Sequence, residues 1–257
     1  MKIYGIMVIY NRFLNETRAF RQLVHSGITL IVCDNSTNNM NNGQTAEQNG
    51  AVYLSMHGNQ GLSKAYNRAI AYILDVFQPQ DDDRVCLFDD DTFIPAEYFD
   101  RMREQNGDIL LPIVKDTKGI MSPVQLKSRI VTRFKNKEAV LAAKRTCLSG
   151  INSGMAVRVK IFRDFRYNEE MFLDYIDHMF IMDMREKNIY PHVLDVELSQ
   201  KFSAVEDDKE TARRRFKMQK RDLRMFYENA KVRYWYVVLK KHLKLAFKYR
   251  DLGMLIR

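Results

Sequence analysis

Short, continuously apolar runs separated by helix-length amphipathic stretches constrain this chain more than any other feature. Residues 2–10, 29–34 (TLIVCD), 51–55 and 84–88 (RVCLF) are such runs. A strand covered by helices on both faces reads this way, whereas a half-solvated strand alternates. The stretches between them have the other periodicity. Within 61–77, Leu62, Ala65, Tyr66, Ala69, Ile70 and Ile73 fall on one side of a helix. A further helix is expected around 14–26, and another at 95–105 before a strand at 108–114. Strand and helix in alternation predict an α/β layer with a mostly parallel sheet.

The pattern then loosens. Residues 115–145 carry a loop and mixed polar sequence with no clear period. A strand is expected within 149–159, a helix over 170–187 and a strand at 192–197. From 207 onward the chain reads as helix with dense positive charge, and no internal repeat is evident.

A length of 257 residues with 46% apolar content suits one large α/β domain, or one domain with a helical appendage. No run of 18 apolar residues is present. The apolar start, MKIYGIMVIYNR, is too short for a signal peptide's layout and reads as a first strand. Cys33, Cys86 and Cys147 are widely spaced with no CxxC pair, which argues against a disulfide framework or a cysteine zinc site. A reducing, cytoplasmic setting is the expectation. The net charge of +9 is uneven: residues 209–250 hold 15 Lys or Arg against Glu210, Asp222 and Glu228, so the remaining body is mildly acidic.

The most informative motif is the run of Asp89, Asp90 and Asp91 directly after an apolar strand. Parallel α/β sheets place ligands at the C-terminal ends of their strands. Carboxylates gathered there repel one another, and a hard cation such as Mg²⁺ or Mn²⁺ relieves that cost. Alternation lets Asp89 and Asp91 face one side while Asp90 faces another. The competing reading is a solvated acidic turn, which fits Asp81–Asp83 better because that run precedes its strand.

The ordered segments VIYNR (8–12), CDNS (33–36), GNQGLSKAYNRAI (58–70), FDDDT (88–92) and FLDYIDHMF (172–180) together resemble the family 2 glycosyltransferases of GT-A fold, most closely the rhamnosyltransferase-like branch. The likeness spans residues 1–205. It implies a Rossmann-like, mostly parallel sheet flanked by helices, with a donor half at 1–114, an acceptor half at 115–205 and a basic helical extension at 206–257. It implies a dTDP- or UDP-linked sugar donor, with dTDP-rhamnose favoured, and a Mn²⁺ or Mg²⁺ ion. Tyr10, Asn11 and Arg12 would border the nucleotide, and Asp34 would meet the base or ribose. Asn59, Gly61 and Asn67 would line the donor pocket, although Asn67 with Arg68 could equally be a helix surface pair. Asp89 and Asp91 match the family's DxD pattern, with Asp91 as preferred metal ligand and Asp90 beside the donor.

An inverting transfer needs a carboxylate to deprotonate the acceptor hydroxyl. Asp174 and Asp177, three apart, would share one face of a helix. The resemblance favours Asp177 as base and Asp174 as second acid or acceptor contact; the alternative is two acids complementing a helix dipole. His178 reads as incidental. The small residues of 149–154, Ser153 and Gly154 among them, would lie on the acceptor side, or form a plain turn. One departure stands out. In LSQKFS (198–203) Gln200 occupies the place where relatives carry a metal-completing His. The QxxRW signature of processive relatives is absent, which points to single addition.

In the tail, Val232, Trp235, Tyr236, Leu239, Leu243, Ala246 and Phe247 repeat at helical spacing, with Arg233, Lys240, Lys241, Lys244 and Lys248 on another arc. Such a helix suits an anionic membrane surface, and through it a lipid-linked glycan acceptor. The alternative is a helix packing its apolar face on the domain. Two rival functions remain. Nucleic-acid binding through the tail is opposed by the acidic body. A nucleotidyltransferase should show a Gly-rich phosphate loop near the N-terminus, and none is seen.

Overall fold

The computed structural model describes residues 1–200, 208–251 and 253. The first part of the chain contains β1 (Ile3–Ile9), α1 (Arg18–Leu23), β2 (Thr29–Asp34), α2 (Asn42–Gln48), β3 (Val52–Ser55), α3 (Leu62–Tyr72), β4 (Arg84–Asp89), β5 (Thr92–Phe93), α4 (Tyr98–Glu104) and β6 (Ile109–Asp116). Then come β7 (Gly119–Ser122), β8 (Val124–Lys127), β9 (Ile130–Arg133), α5 (Lys137–Leu141), β10 (Leu148–Ser149), β11 (Ala156–Arg158), α6 (Val159–Arg163), α7 (Ile176–Glu186) and β12 (His192–Gln200). Two long helices follow, α8 (Lys209–Phe226) and α9 (Lys231–Tyr249).

The main sheet has the order β3-β2-β1-β4-β11-β6-β12-β5, with β7 paired to β6. Strands β1 to β4 are parallel, β11 runs antiparallel between β4 and β6, and β12 is parallel to β6. The α/β architecture expected from the strand runs is therefore what the chain adopts. Because β11 reverses direction once on each side, β12 ends on the same edge as β1, β2 and β4. That edge carries Asp34, which pairs with Ile9, and Asp89, which pairs with Val8.

Side chains of β1 alternate between two cores. Tyr4 and Ile6 join Ala65, Tyr66 and Ile70 of α3 and Phe180 of α7. Ile3, Met7 and Ile9 join Phe20 of α1 and Tyr98 and Met102 of α4 on the opposite face. A third cluster packs Phe216, Leu223 and Phe226 of α8 and Val238 of α9 with Leu126 of β8, backed by Tyr175 and Met179. The C-terminal helices are thus joined to the segment around α7. The proposed division between catalytic and helical segments at 205/206 lies outside the described residues, as do Lys201–Ser203 of the LSQKFS segment.

Several elements differ from expectation. The helix expected over 14–26 is broken at Thr17, whose extended backbone separates a 3₁₀ turn (Leu14–Glu16) from α1 while its hydroxyl donates to the Leu14 carbonyl. The unplaced region 115–145 forms β7–β9 and α5, and β8 and β9 join β10 in a small second sheet. Every residue of β9 is exposed, so no buried face exists to impose a period on its sequence. The helix expected over 170–187 begins only at Ile176. Tyr175 adopts a left-handed conformation (φ 65°), and Asp222 engages the backbone N–H groups before it.

Helix α9 buries a different side from the one its apolar residues mark. Val238, His242 and Ala246 are buried. Val232 (84%), Trp235 (65%), Leu239 (59%) and Phe247 (89%) are exposed, so of the expected apolar row only Ala246 packs on the protein. Among the described residues, no helix is long and apolar enough to cross a membrane. All three cysteines are free, with Cys33 and Cys86 buried.

Candidate active site

At the C-terminal edge of the sheet, a cavity of about 530 Å³ is lined by Tyr10, Arg12, Asn59, Gly61, Asp89–Asp91 and Gln200. Asp174 and Asp177, together with Arg215 and Met218 of α8, line it as well. Strand β4 delivers Asp89, the following turn carries Asp90 and Asp91, and β5 then pairs back onto β12 with Thr92 opposite Gln200. That pairing sets Gln200 against the acidic turn.

The Gln200 amide Nε2 donates to Asp89 Oδ2 at 3.0 Å and to Asp91 Oδ1 at 2.8 Å. Ser153, from the turn before β11, also donates to Asp89. Asp90 turns away and meets Arg12 Nη1 at 3.3 Å. Burial raises all three carboxyls. For Asp89 the opposing hydrogen bond from Ser153 comes next and then repulsion from Asp91; for Asp91 the Gln200 hydrogen bond opposes the rise. Asp90 is pushed up to about 6, with Arg12 opposing. The cluster therefore carries an electrostatic cost that a positive partner would relieve.

Among the described residues, no three His, Cys, Asp or Glu side chains gather as a metal site. The donor chemistry nevertheless fits a hard divalent ion. Two carboxylates converge within hydrogen-bonding distance of a single Gln200 atom, and the same amide carries an oxygen donor.

Asp177 sits in the first turn of α7, where its Oδ1 accepts from the His178 backbone N–H at 2.7 Å, so a dipole-stabilised acid and a cleft-lining acid are here the same residue. His178 is more than incidental. It is buried, 3.9 Å from Asp177 Oδ1, with Nδ1 at 2.8 Å from Ser149 Oγ. Asp174 does not share a helical face with Asp177, because it precedes the helix on a loop. Its carboxyl is raised by burial, against the pull of Arg215 and Lys241.

Other residues singled out in the sequence lie elsewhere. Asn67 is buried and turned from the cleft: its Nδ2 donates to the Tyr167 carbonyl (2.9 Å) and Glu169 (3.0 Å), and its Oδ1 accepts from the Tyr167 N–H (2.9 Å). Its role is to fasten α3 to the 167–169 loop, which corrects the donor-pocket expectation. Ser153 is fully buried against Asp89, and a Cβ on Gly154 would meet Leu198 at 2.5 Å. Ser153 therefore supports the acidic turn, Gly154 packs against Leu198 and Pro112, and neither lines the cleft. Asn11 ties the turn after β1 to the 36–38 loop, accepting from the Thr37 N–H at 2.9 Å. Asp34 borders a second cavity of about 650 Å³ beside Asn38 and Tyr53. Its carboxyl already accepts from Ser36 N–H (2.8 Å), Asn42 (2.9 Å) and Tyr53 (3.0 Å).

Gly61 lines the cleft for a steric reason. Its φ is +87°, and a Cβ there would lie 2.7 Å from the Phe172 carbonyl oxygen. That oxygen accepts the Leu62 N–H at 2.7 Å, joining the start of α3 to the 172–174 loop.

Sequence reasoning did not find Arg215, Met218 or Asp222 as site components. Asp222 is fully buried and accepts the N–H groups of Phe172, Leu173 and Asp174 at 2.8, 2.9 and 2.8 Å. An acid within an otherwise basic helix was the available signal.

The molecule is thus a mixed α/β protein with a carboxylate-lined cleft at the C-terminal edge of a mostly parallel sheet. Among curated proteins, the chain is similar to the dTDP-rhamnosyl transferase RfbF of Shigella flexneri, 25% identical over 201 residues. The match covers 75% of this chain and 66% of that protein, so the chain spans just under two thirds of the relative's length. That likeness to a rhamnosyl transferase extends over three quarters of the chain, beyond the separate motifs. No protein-family model matches the chain. Two solved structures are distantly similar. One is a 4-diphosphocytidyl-2C-methyl-D-erythritol synthase, with TM-score 0.47, 10% identity, and coverage of 76% of this chain and 89% of that one. The other is a mannose-1-phosphate geranyltransferase from Thermus thermophilus, with TM-score 0.41, 9% identity, and coverage of 78% and 74%.

Proposed function

We propose that the chain is an inverting glycosyltransferase that moves a sugar, rhamnose being favoured, from a nucleotide diphosphate donor to a hydroxyl of a glycan acceptor. The observation that carries this reading is the meeting in one cavity of two acidic groups of different origin. Asp89–Asp91 come from the end of β4, and Asp177 comes from the start of α7. The first set suits a diphosphate-bearing donor with its cation, and the second suits a base acting from the other side. Similarity to a protein named as a dTDP-rhamnosyl transferase supports the same class and favours a dTDP-linked donor over a UDP-linked one.

Asp89 and Asp91 would hold a Mn²⁺ or Mg²⁺ ion, with the Gln200 amide oxygen as a neutral donor; such an ion neutralises charge on the departing diphosphate. Tyr10, Asn59 and Gly61 form the donor wall, with Asp34 beside the adjoining cavity. Asp177 takes the proton from the acceptor hydroxyl. The oxygen attacks the anomeric carbon from the face opposite the diphosphate, and the bond to the diphosphate oxygen breaks, inverting the centre.

The exposed apolar row of α9, flanked by Lys240, Lys244 and Lys248, supports contact with an anionic membrane surface and hence a lipid-linked acceptor in surface-polysaccharide synthesis. Catalysis would then take place peripherally on the inner face of the cell membrane.

The test is the melting temperature with dTDP, UDP or GDP, each with and without Mn²⁺, for wild type and Asp91→Asn. One nucleotide should raise it only with metal, and the substitution should abolish the rise. No shift under any condition would remove the donor-site reading.

A further inference from the structure

Helix α8 does more than append positive charge to the domain. Asp222 binds three consecutive backbone N–H groups of the loop that carries Asp174. Arg215 lies about two helical turns earlier, on the same face of α8. It reaches the cleft, with Nη2 3.8 Å from Asp174 Oδ1, and its side chain is half exposed. At that separation the pair is an ion contact and not a hydrogen bond. The guanidinium keeps N–H donors for a third group. Asp174 Oδ2 is buried with no hydrogen-bond partner among the described residues. With Oδ2 buried, the oxygen this carboxyl offers to the cleft is Oδ1, the one that faces Arg215.

We infer that Arg215 and Asp174 form an acceptor-side subsite for a neutral carbohydrate with adjacent hydroxyls, one hydroxyl donating to Asp174 Oδ1 and the neighbouring oxygen accepting from Arg215. This rests on the glycosyltransferase reading and extends it to a helix outside the segment that resembles the family. A neutral sugar is favoured over a phosphate because Asp174 and Asp177 line the same cavity and oppose a second anion beside Arg215. Asp222 is the positioning residue: by fixing the 172–174 backbone it sets Asp174 opposite Arg215.

The test is saturation-transfer NMR of the full chain with methyl glycosides of rhamnose, glucose, galactose and N-acetylglucosamine, in the presence of dTDP or UDP and Mn²⁺. Inorganic pyrophosphate serves as the anionic competitor, and nucleotide binding and melting temperature are read on the same samples. At least one glycoside should bind wild type. Arg215→Ala should weaken it about tenfold or more, with nucleotide affinity within about twofold and melting unchanged. Arg215→Lys should recover only part of the loss, because an ammonium lacks the planar fork. The subsite is overturned if no glycoside binds while nucleotide does, if Arg215→Ala binds glycoside as wild type does, or if the residue governs pyrophosphate instead. Loss of nucleotide binding in wild type would instead strike the glycosyltransferase reading itself.

Discussion

Replacing Asp222 by Asn removes one atom's worth of acceptor chemistry from a fully buried position. In the native structure Oδ1 accepts from Phe172 N–H, while Oδ2 accepts from both Leu173 and Asp174 N–H. Asn has one oxygen, and its best placement keeps the two-donor site. Its NH₂ group then faces the Phe172 N–H, so one charge-assisted bond is lost and two donors oppose each other. A hydrogen bond to a charged group contributes about 1.5–3 kcal/mol, and a stranded donor costs about 1–3 kcal/mol. The summed loss, allowing for relaxation, is about 2–4 kcal/mol. For a chain of this length that corresponds to a fall in melting temperature of roughly 4–16 °C. Asp222→Leu, which strands all three donors, should fall further. Differential scanning fluorimetry at neutral pH measures both. An Asp222→Asn protein melting within about 1 °C of wild type would refute the claim that this carboxyl holds the cleft loop to α8.

Three other outcomes are expected. Burial holds the Asp174 carboxyl above its ordinary value, so the folded protein binds that proton more tightly than the unfolded chain does. Wild type is therefore relatively most stable below the ordinary carboxylate range and loses stability as pH rises through the raised value. Asp174→Asn should melt with wild type near pH 4 and above it at pH 8, and an equal or lower value at pH 8 would contradict this. Gln200→His, placing an imidazole against Asp89 and Asp91, should tighten Mn²⁺ binding about tenfold by electron paramagnetic resonance; unchanged affinity would place the ion elsewhere. Trp235→Glu and Phe247→Glu should abolish co-sedimentation with anionic phosphatidylglycerol vesicles without lowering the melting temperature, since both residues are exposed. Retained binding would dismiss α9 as the membrane contact.

Much of the architecture was legible from local pattern. Thr29–Asp34 and the strand ending at Asp89 read as continuous apolar runs because helices cover both faces of the central sheet, and burial leaves no polar position to break the run. The acidic turn was legible because it follows such a strand, where a parallel sheet exposes its binding edge. Helix α3 was equally plain, its apolar residues meeting the core at helical spacing. The exposed strand β9 left no such mark.

Local pattern along the chain settles the class of fold and the edge where chemistry gathers, because both follow from burial and periodicity over a few neighbouring residues. Which polar groups face the cleft is set by the packing of distant segments. Asn67 is turned to Tyr167 across 100 positions, Gln200 bridges carboxyls 109 and 111 positions away, and Asp222 grips a loop 48 to 50 positions upstream. The same packing buries Val238, His242 and Ala246 of α9 and leaves Trp235 and Phe247 bare. The physical reason is range. Hydrophobic periodicity is written along one segment, whereas a hydrogen-bond partner or an uncovered face is fixed only when distant segments have packed together.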